Sequence, residues 1–266
     1  MEFSFTFSQV VPIIVAILAI FIYFFGKNRN KLIAHKWANT LEPFLKENFT
    51  NIGEFAGAEY LKQYTNQIFR IMASGRKSCL YFVSIIELTR RHNIIYATIG
   101  RFFSSETDRF AFEIVVNVNP PSPVIFALLK NIHKKKIFKE YDDLRILAQE
   151  RPKYTMPNGF VIMSENDESA SWILTNEILH YIEVLAPIIE MIYITDLEIL
   201  PVKAPLTLRC NFLLPHNSQN KVNSQQIELA GKFALALADR LSLFRISNQA
   251  RELCLKSRSN LRPKSE

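Results

Sequence analysis

No charged residue occurs between Glu2 and Lys27, and from Val10 to Phe25 every position is apolar apart from Pro12 and Tyr23. A bilayer core requires about 20 predominantly apolar residues, each rising about 1.5 Å along a helix. Phe3 to Gly26 supplies that length when the Ser and Thr near its start sit at the interface, so the chain predicts a single N-terminal transmembrane helix, placed at 10–26. Val10, Ile14, Ile17, Leu18, Phe21 and Phe25 are its candidate membrane anchors. Because the run is apolar all round, no partner-facing side can be read from it. The remaining chain is then divided into a short N-terminus at 1–9, a folded domain at 27–247 and a basic tail at 248–266.

The flanking charges orient the helix. A secretory signal peptide carries its basic residues before the apolar core, whereas here only Glu2 precedes the run and Lys27, Arg29, Lys31 and Lys36 follow it. The positive-inside rule places that basic side, and the domain, in the cytosol, with a lumenal N-terminus. Asn48-Phe49-Thr50 is a glycosylation acceptor triplet. It would be used only in the opposite orientation, and the four flanking cations outweigh it.

Lys and Arg number 32 against 25 Asp and Glu, a net charge of +7. That surplus favours anionic partners, among which ribosomal RNA, acidic lipid headgroups and acidic proteins all qualify. Cys79, Cys210 and Cys254 lie far apart without a paired spacing. They imply neither a disulfide framework nor a zinc site, and they fit a reducing compartment.

Apolar spacings of three and four predict helix over 30–47, with Pro43 dividing it, and again over 59–73 until Ser74-Gly75 stops it. Stretches 80–88 and 109–118 read as strands. The Asn119-Pro120-Pro121-Ser122 turn predicts that 124–129 returns against the second of them as a hairpin. Further helices are expected over 90–103, 133–148 and 171–186. A loop is expected over 151–159, strands over 160–163, 189–194 and 206–214, and a linker over 201–205. Ile227, Ala230, Ala234, Leu237, Leu241 and Phe244 form a heptad-like stripe on a last long helix. The alternation of strands and helices predicts an α/β fold, a mixed sheet covered by helices with one inserted β-hairpin.

Chemical motifs are sparse. Ser74-Gly75-Arg76-Lys77 has the Ser-x-x-Lys spacing of serine acyl-enzymes without their companion motifs, and His180 beside Glu177 and Glu183 is a possible general base. These define an alternative, a membrane-tethered hydrolase. Seven glycines in the whole chain leave little material for a nucleotide cradle, and no cofactor or metal motif is present. The basic segments are stronger candidates for ribosome or anionic-surface contact: Lys134, Lys135 and Lys136, and the tail residues Arg251, Lys256, Arg258, Arg262 and Lys264. Lysines opening a helix oppose its dipole, so the first cluster either lies partly outside the helix or is kept for a partner such as a lipid surface.

Taken in order, the segments resemble the coiled-coil domain-containing protein 47 family, also called calumin. Gly26-Lys27-Asn28-Arg29-Asn30 with Trp37 and then Asn48-Phe49-Thr50 is similar to its passage from membrane into cytosol. Ser74-Gly75-Arg76 followed by Cys79, the stretch 154–157 before a strand ending Ser164-Glu165, His180-Tyr181, 190–196 and Phe244-Arg245 continue the match over 26–247. The resemblance implies a non-enzymatic, single-pass endoplasmic reticulum protein with a cytosolic α/β domain. Its members pair with the small membrane protein Asterix in the PAT complex, which serves nascent multi-pass proteins at the ribosome-bound Sec translocon. Two departures are expected to alter function. The acidic lumenal region, the basis of a calcium-related role, is reduced to the residues before Val10, and the C-terminal coiled coil that reaches the ribosome is cut to a short tail.

Overall fold

The computed structural model describes residues 7–53, 60–93, 96, 107–119, 121–151, 154, 156–157, 159–197, 206–215 and 223–259. The fold is α/β, preceded by an apolar helix. Helix α1 (Phe7–Asn48) is followed by β1 (Asn51–Ile52), β2 (Lys62–Gln63), β3 (Ile68–Ser74), β4 (Cys79–Glu87), β5 (Arg109–Val116) and β6 (Ile125–Lys130). A 3-10 turn (Asn131–His133), α2 (Lys134–Glu140), α3 (Asp142–Leu147), β7 (Gln149–Glu150), β8 (Phe160–Ser164), α4 (Asp167–Ile173) and α5 (Asn176–Leu185) come next. The chain continues through β9 (Ile189–Thr195), β10 (Thr207–Leu213), α6 (Ser224–Ser242) and α7 (Asn248–Ser259).

The strands form one sheet in the order β1-β3-β4-β5-β10-β9-β6-β8-β7, with β2 beside β3. The described pairings are all antiparallel. One face carries Phe82, Phe110, Phe112, Phe126, Ile192 and Phe212, fully buried beneath α1, α4, α5 and α6. The other face is covered over β6, β8 and β9, where Ala127, Leu129, Met163, Met191 and Tyr193 pack against Ile137 of α2 and Leu144 of α3. Helices on both faces explain why these strands are apolar at both parities rather than alternating.

Helix α1 is continuous for 42 residues, about 63 Å at the helical rise. Pro43 does not divide it. Its ring is on the exposed side, while Leu41, Phe44 and Leu45 are buried and hold both flanking turns against the sheet. Ala34, Trp37, Ala38, Leu41, Phe44 and Leu45 recur at three and four residues along the buried face. Gly231 of α6 permits the close crossing: a Cβ there would lie 2.8 Å from the Phe44 ring. At its C-terminal end α1 meets the β3–β4 turn, through Asn48 to Arg76 and through Phe49 to Phe82 with ring centroids 5.0 Å apart. It crosses the sheet to the opposite end, where Asn30 reaches Asn66 and Thr89.

Three expectations are corrected. Residues 68–74 form a strand, because Phe69, Ile71 and Ala73 are buried in strict alternation; the spacing between Ile68 and Ile71 imitated a helical one. The segment 124–129 does not return against 109–118. Strand β5 lies between β4 and β10 and β6 between β9 and β8, so each central strand takes partners distant in sequence. The hairpin joins β3 and β4 across Gly75, whose φ of 92° suits glycine. The expected helices 133–148 and 171–186 are each split, at Tyr141 and at Leu174. The Thr175 side chain accepts from the Ile178 N–H and so starts α5 afresh. The expected helix over 90–103 and linker over 201–205 fall largely or wholly outside the described residues.

Candidate membrane junction and basic surfaces

Ile14, Ile17, Leu18, Phe21 and Phe25 are exposed around α1 and Val10 is half-buried. The helix is long and apolar enough to cross a membrane, and close packing on the domain begins at Gly26, one turn after a first contact from Tyr23. A Cβ on Gly26 would meet the Arg91 carbonyl oxygen at 2.3 Å, so the helix lies directly on the backbone after β4. One turn later, fully buried Asn30 uses its whole amide. Its Nδ2 donates to the carbonyls of Asn66 (2.9 Å) and Thr89 (3.1 Å), and its Oδ1 accepts from Arg91 Nη1 at 3.0 Å.

Arg91 in turn forks onto Asp108, Nη1 to Oδ1 at 2.9 Å and Nη2 to Oδ2 at 2.6 Å. The Thr89 N–H also donates to Asp108 Oδ1, at 3.0 Å. Paired, bidentate and further hydrogen-bonded, this buried carboxylate is the strong kind of ion pair. It ties the exit of α1 to the ends of β4 and β5. Tyr23 adds an edge contact to His92, with centroids 6.0 Å apart, and its hydroxyl accepts from Asn66 Nδ2 at 3.4 Å. Partial burial, and secondarily the Arg90 charge, hold the His92 pKa below its ordinary value.

The basic candidates separate into three kinds. Lys134 is half-buried, its Nζ 2.8 Å from Glu150 Oε2 and over the Phe138 ring. Lys135 and Lys136 are exposed, Lys136 only loosely paired with Glu140 at 3.9 Å. On α7, Arg251 and Lys256 are exposed. Arg262 and Lys264 lie outside the described residues.

Arg258 departs from the expected outward charge. Its guanidinium is turned into the domain, where Nε and Nη2 donate to Glu165 at 2.8 and 2.7 Å and Nη1 and Nη2 donate to Asp196, both at 2.7 Å. Desolvation alone would lower its pKa, but hydrogen bonds to Asp196 and Glu165 and their charges outweigh that and raise it. Residues 248–259 are therefore a docked helix. It is begun by Glu168, which accepts from Ser247 N and Oγ at 2.7 Å each, and seated by buried Cys254.

The hydrolase candidates are not brought together. Ser74 ends β3, Lys77 is exposed in the turn, and His180 is exposed on α5. The residue that sequence reasoning missed here is Asp239 of α6. It accepts from Ser78 Oγ and from Arg76, Nε at 3.2 Å and Nη2 at 2.6 Å, while Arg76 Nη1 holds Asn48 at 3.1 Å. A hydroxyl bonded to an arginine-paired carboxylate ties α1, the hairpin and α6 together. Among the described residues no group of His, Cys, Asp and Glu is arranged to hold a metal ion.

The order of apolar helix, junction and domain has a counterpart among known proteins. The family profile of PAT complex subunit CCDC47 matches residues 4–265, and the chain belongs to that family. PAT complex subunit CCDC47 of Bos taurus is 26% identical over 184 residues, 65% of this chain and 38% of that protein. The Homo sapiens protein of that name is 24% identical over the same length. The Xenopus laevis one is 21% identical over 262 residues, 90% of this chain and 53% of its own. The chain thus spans between two fifths and about half of the length of these relatives.

Two substitutions test the geometry. Asp108→Ala strands the Arg91 guanidinium, and removing one partner of a buried pair costs about 3–5 kcal/mol. A lower unfolding midpoint in detergent is expected, together with faster proteolysis near 89–91. Arg258→Ala leaves the Glu165 and Asp196 carboxylates without their counter-ion and releases α7. Cys254, whose thiol pKa is raised first by burial and then by the Glu165 charge, then becomes reactive. A loss of about 3 kcal/mol corresponds to on the order of a hundredfold faster thiol labelling, with Cys79 and Cys210 still protected by burial.

Proposed function

We propose that the chain is a non-enzymatic subunit of a PAT-like intramembrane chaperone complex in the endoplasmic reticulum membrane, assisting nascent multi-pass proteins at the ribosome-bound Sec translocon. The observation that carries this reading is the family match over residues 4–265, which takes in the apolar helix and the domain together. In it α1 is single-pass with a lumenal N-terminus, because Lys27, Arg29, Lys31 and Lys36 follow the span. Its apolar surface pairs in the bilayer with an Asterix-like small membrane protein, and the domain lies on the cytosolic side.

Ribosome contact falls to the outer face of α7, where Arg251 and Lys256 are exposed and Arg262 and Lys264 follow in the chain. Contacts of this kind neutralise phosphate and weaken steeply with salt. Affinity purification of the full chain from native membranes in gentle detergent and low salt tests the reading. Translocon components, a small membrane partner and ribosomes should co-purify, the ribosomes being lost at high salt and from an Arg251→Glu/Lys256→Glu variant. Absence of translocon and partner from the low-salt fraction would contradict it.

A further inference from the structure

The end of the sheet from which α1 leaves continues sideways to the turn at Asn131–His133. Arg109, next to Asp108, opens β5 and is paired across the sheet with Glu87 and Leu213. Its Nε lies 2.7 Å from Glu190 Oε2, and Glu190 Oε1 lies 3.8 Å from His133 Nε2. Glu190 falls where the β9–β10 register shifts, and such a bulge re-aims a side chain. Here the bulge carries the carboxylate across to Arg109 and His133. Lys130 closes β6 at this same end, three strand positions from β5 in the sheet order, about 14 Å at the usual strand spacing.

Two features of this corner are costly unless something covers them. Ile132 is 84% exposed, at the tip of a turn containing no buried residue. Lys134, Lys135 and Lys136 occupy the first turn of α2 with no side-chain cap and no acidic residue, against the helix dipole. Lys135, Lys136 and Lys139 are all exposed. An apolar tip ringed by amines is the pattern of a membrane-surface contact, in which the side chain enters the interfacial layer and the charges meet anionic headgroups. A phosphate surface of RNA would use the lysines and leave Ile132 in water.

We propose that this corner is a second membrane contact, with Ile132 inserted at the interface and Lys135, Lys136 and Lys139 on acidic phospholipid. The inference rests on α1 spanning the bilayer but not on the chaperone role, whose test is co-purification. It makes the domain bind the membrane at two points, the α1 exit and this turn.

The full chain carrying Asn131→Cys, labelled with a polarity-sensitive fluorophore, tests the contact, since the native cysteines are buried. It is placed in nanodiscs of phosphatidylcholine alone or with about 30% phosphatidylserine. A blue shift and loss of access to an aqueous quencher are expected only with phosphatidylserine. Three lysines near the surface correspond to on the order of a hundredfold in contact equilibrium. High salt, Ile132→Asp, or the triple Lys135→Glu/Lys136→Glu/Lys139→Glu should each reverse the shift at an unchanged unfolding midpoint. A label at Leu243→Cys, 74% exposed beside the β3–β4 turn at the far end of the sheet, should not respond. Equal emission in both lipids would overturn the proposal, as would an equal shift at position 243. A shift in neutral discs produced only by added ribosomal RNA would assign the corner to RNA instead.

Discussion

In the proposed membrane-spanning arrangement helix α1 has to satisfy two solvents, and the change from one to the other takes place between Tyr23 and Asn30. On the lipid side the backbone needs only its own hydrogen bonds and an apolar coat, which the exposed residues from Ile13 to Phe25 provide. On the domain side the same helix is a core element, with Trp37, Leu41 and Leu45 fully buried. What prevents a hinge between these regimes is the buried chain of bonds from Asn30 through Arg91 to Asp108. In a site that excludes water such a network is strong while every member is satisfied and costly once one is removed. The sheet ends, the α1 exit and the strand register all meet there.

Charge in this protein is informative by where it is spent. A surplus of +7 suggests a broadly basic surface, yet Arg91 and Arg258 are committed to carboxylates buried in the fold and Arg76 to the half-exposed Asp239. Arginine's planar fork suits these bidentate pairings, whereas lysine serves as a hydrated point charge. Lys135, Lys136, Lys139 and Lys256 are exposed lysines of this kind, and Arg29, Arg90, Arg145, Arg245 and Arg251 are exposed as well.

The apolar helix, strands β4, β5, β9 and β10 and the stripe of α6 were legible because each carries its signal, a continuous apolar run or a regular apolar spacing, within its own stretch of sequence. Ile68–Ser74 was not, since two isoleucines three apart outweighed an alternation of mixed residue sizes. Nor were the strand partners, because β5 and β10 are joined only by tertiary pairing. Arg258 lies 93 residues from Glu165 and 62 from Asp196, a distance over which a lone chain offers no signal. The helix α7 was not read either: its surplus of basic residues reads as a tail, and its seat depends on the distant carboxylates Glu165, Glu168 and Asp196. Among the basic residues, Lys135 and Lys136 were legible as exposed charge because they belong to a run of three consecutive lysines.

The central claim is that the proposed membrane span and the domain move as one body. Spin labels at Phe21→Cys, in the span, and Tyr81→Cys, exposed on β4, measure it directly by pulsed dipolar spectroscopy of the full chain in nanodiscs. A single narrow distance distribution is the predicted result, and it should broaden when Asn30 is replaced by alanine. A broad distribution already present in the unaltered junction would show that α1 hinges at the membrane, contradicting the account.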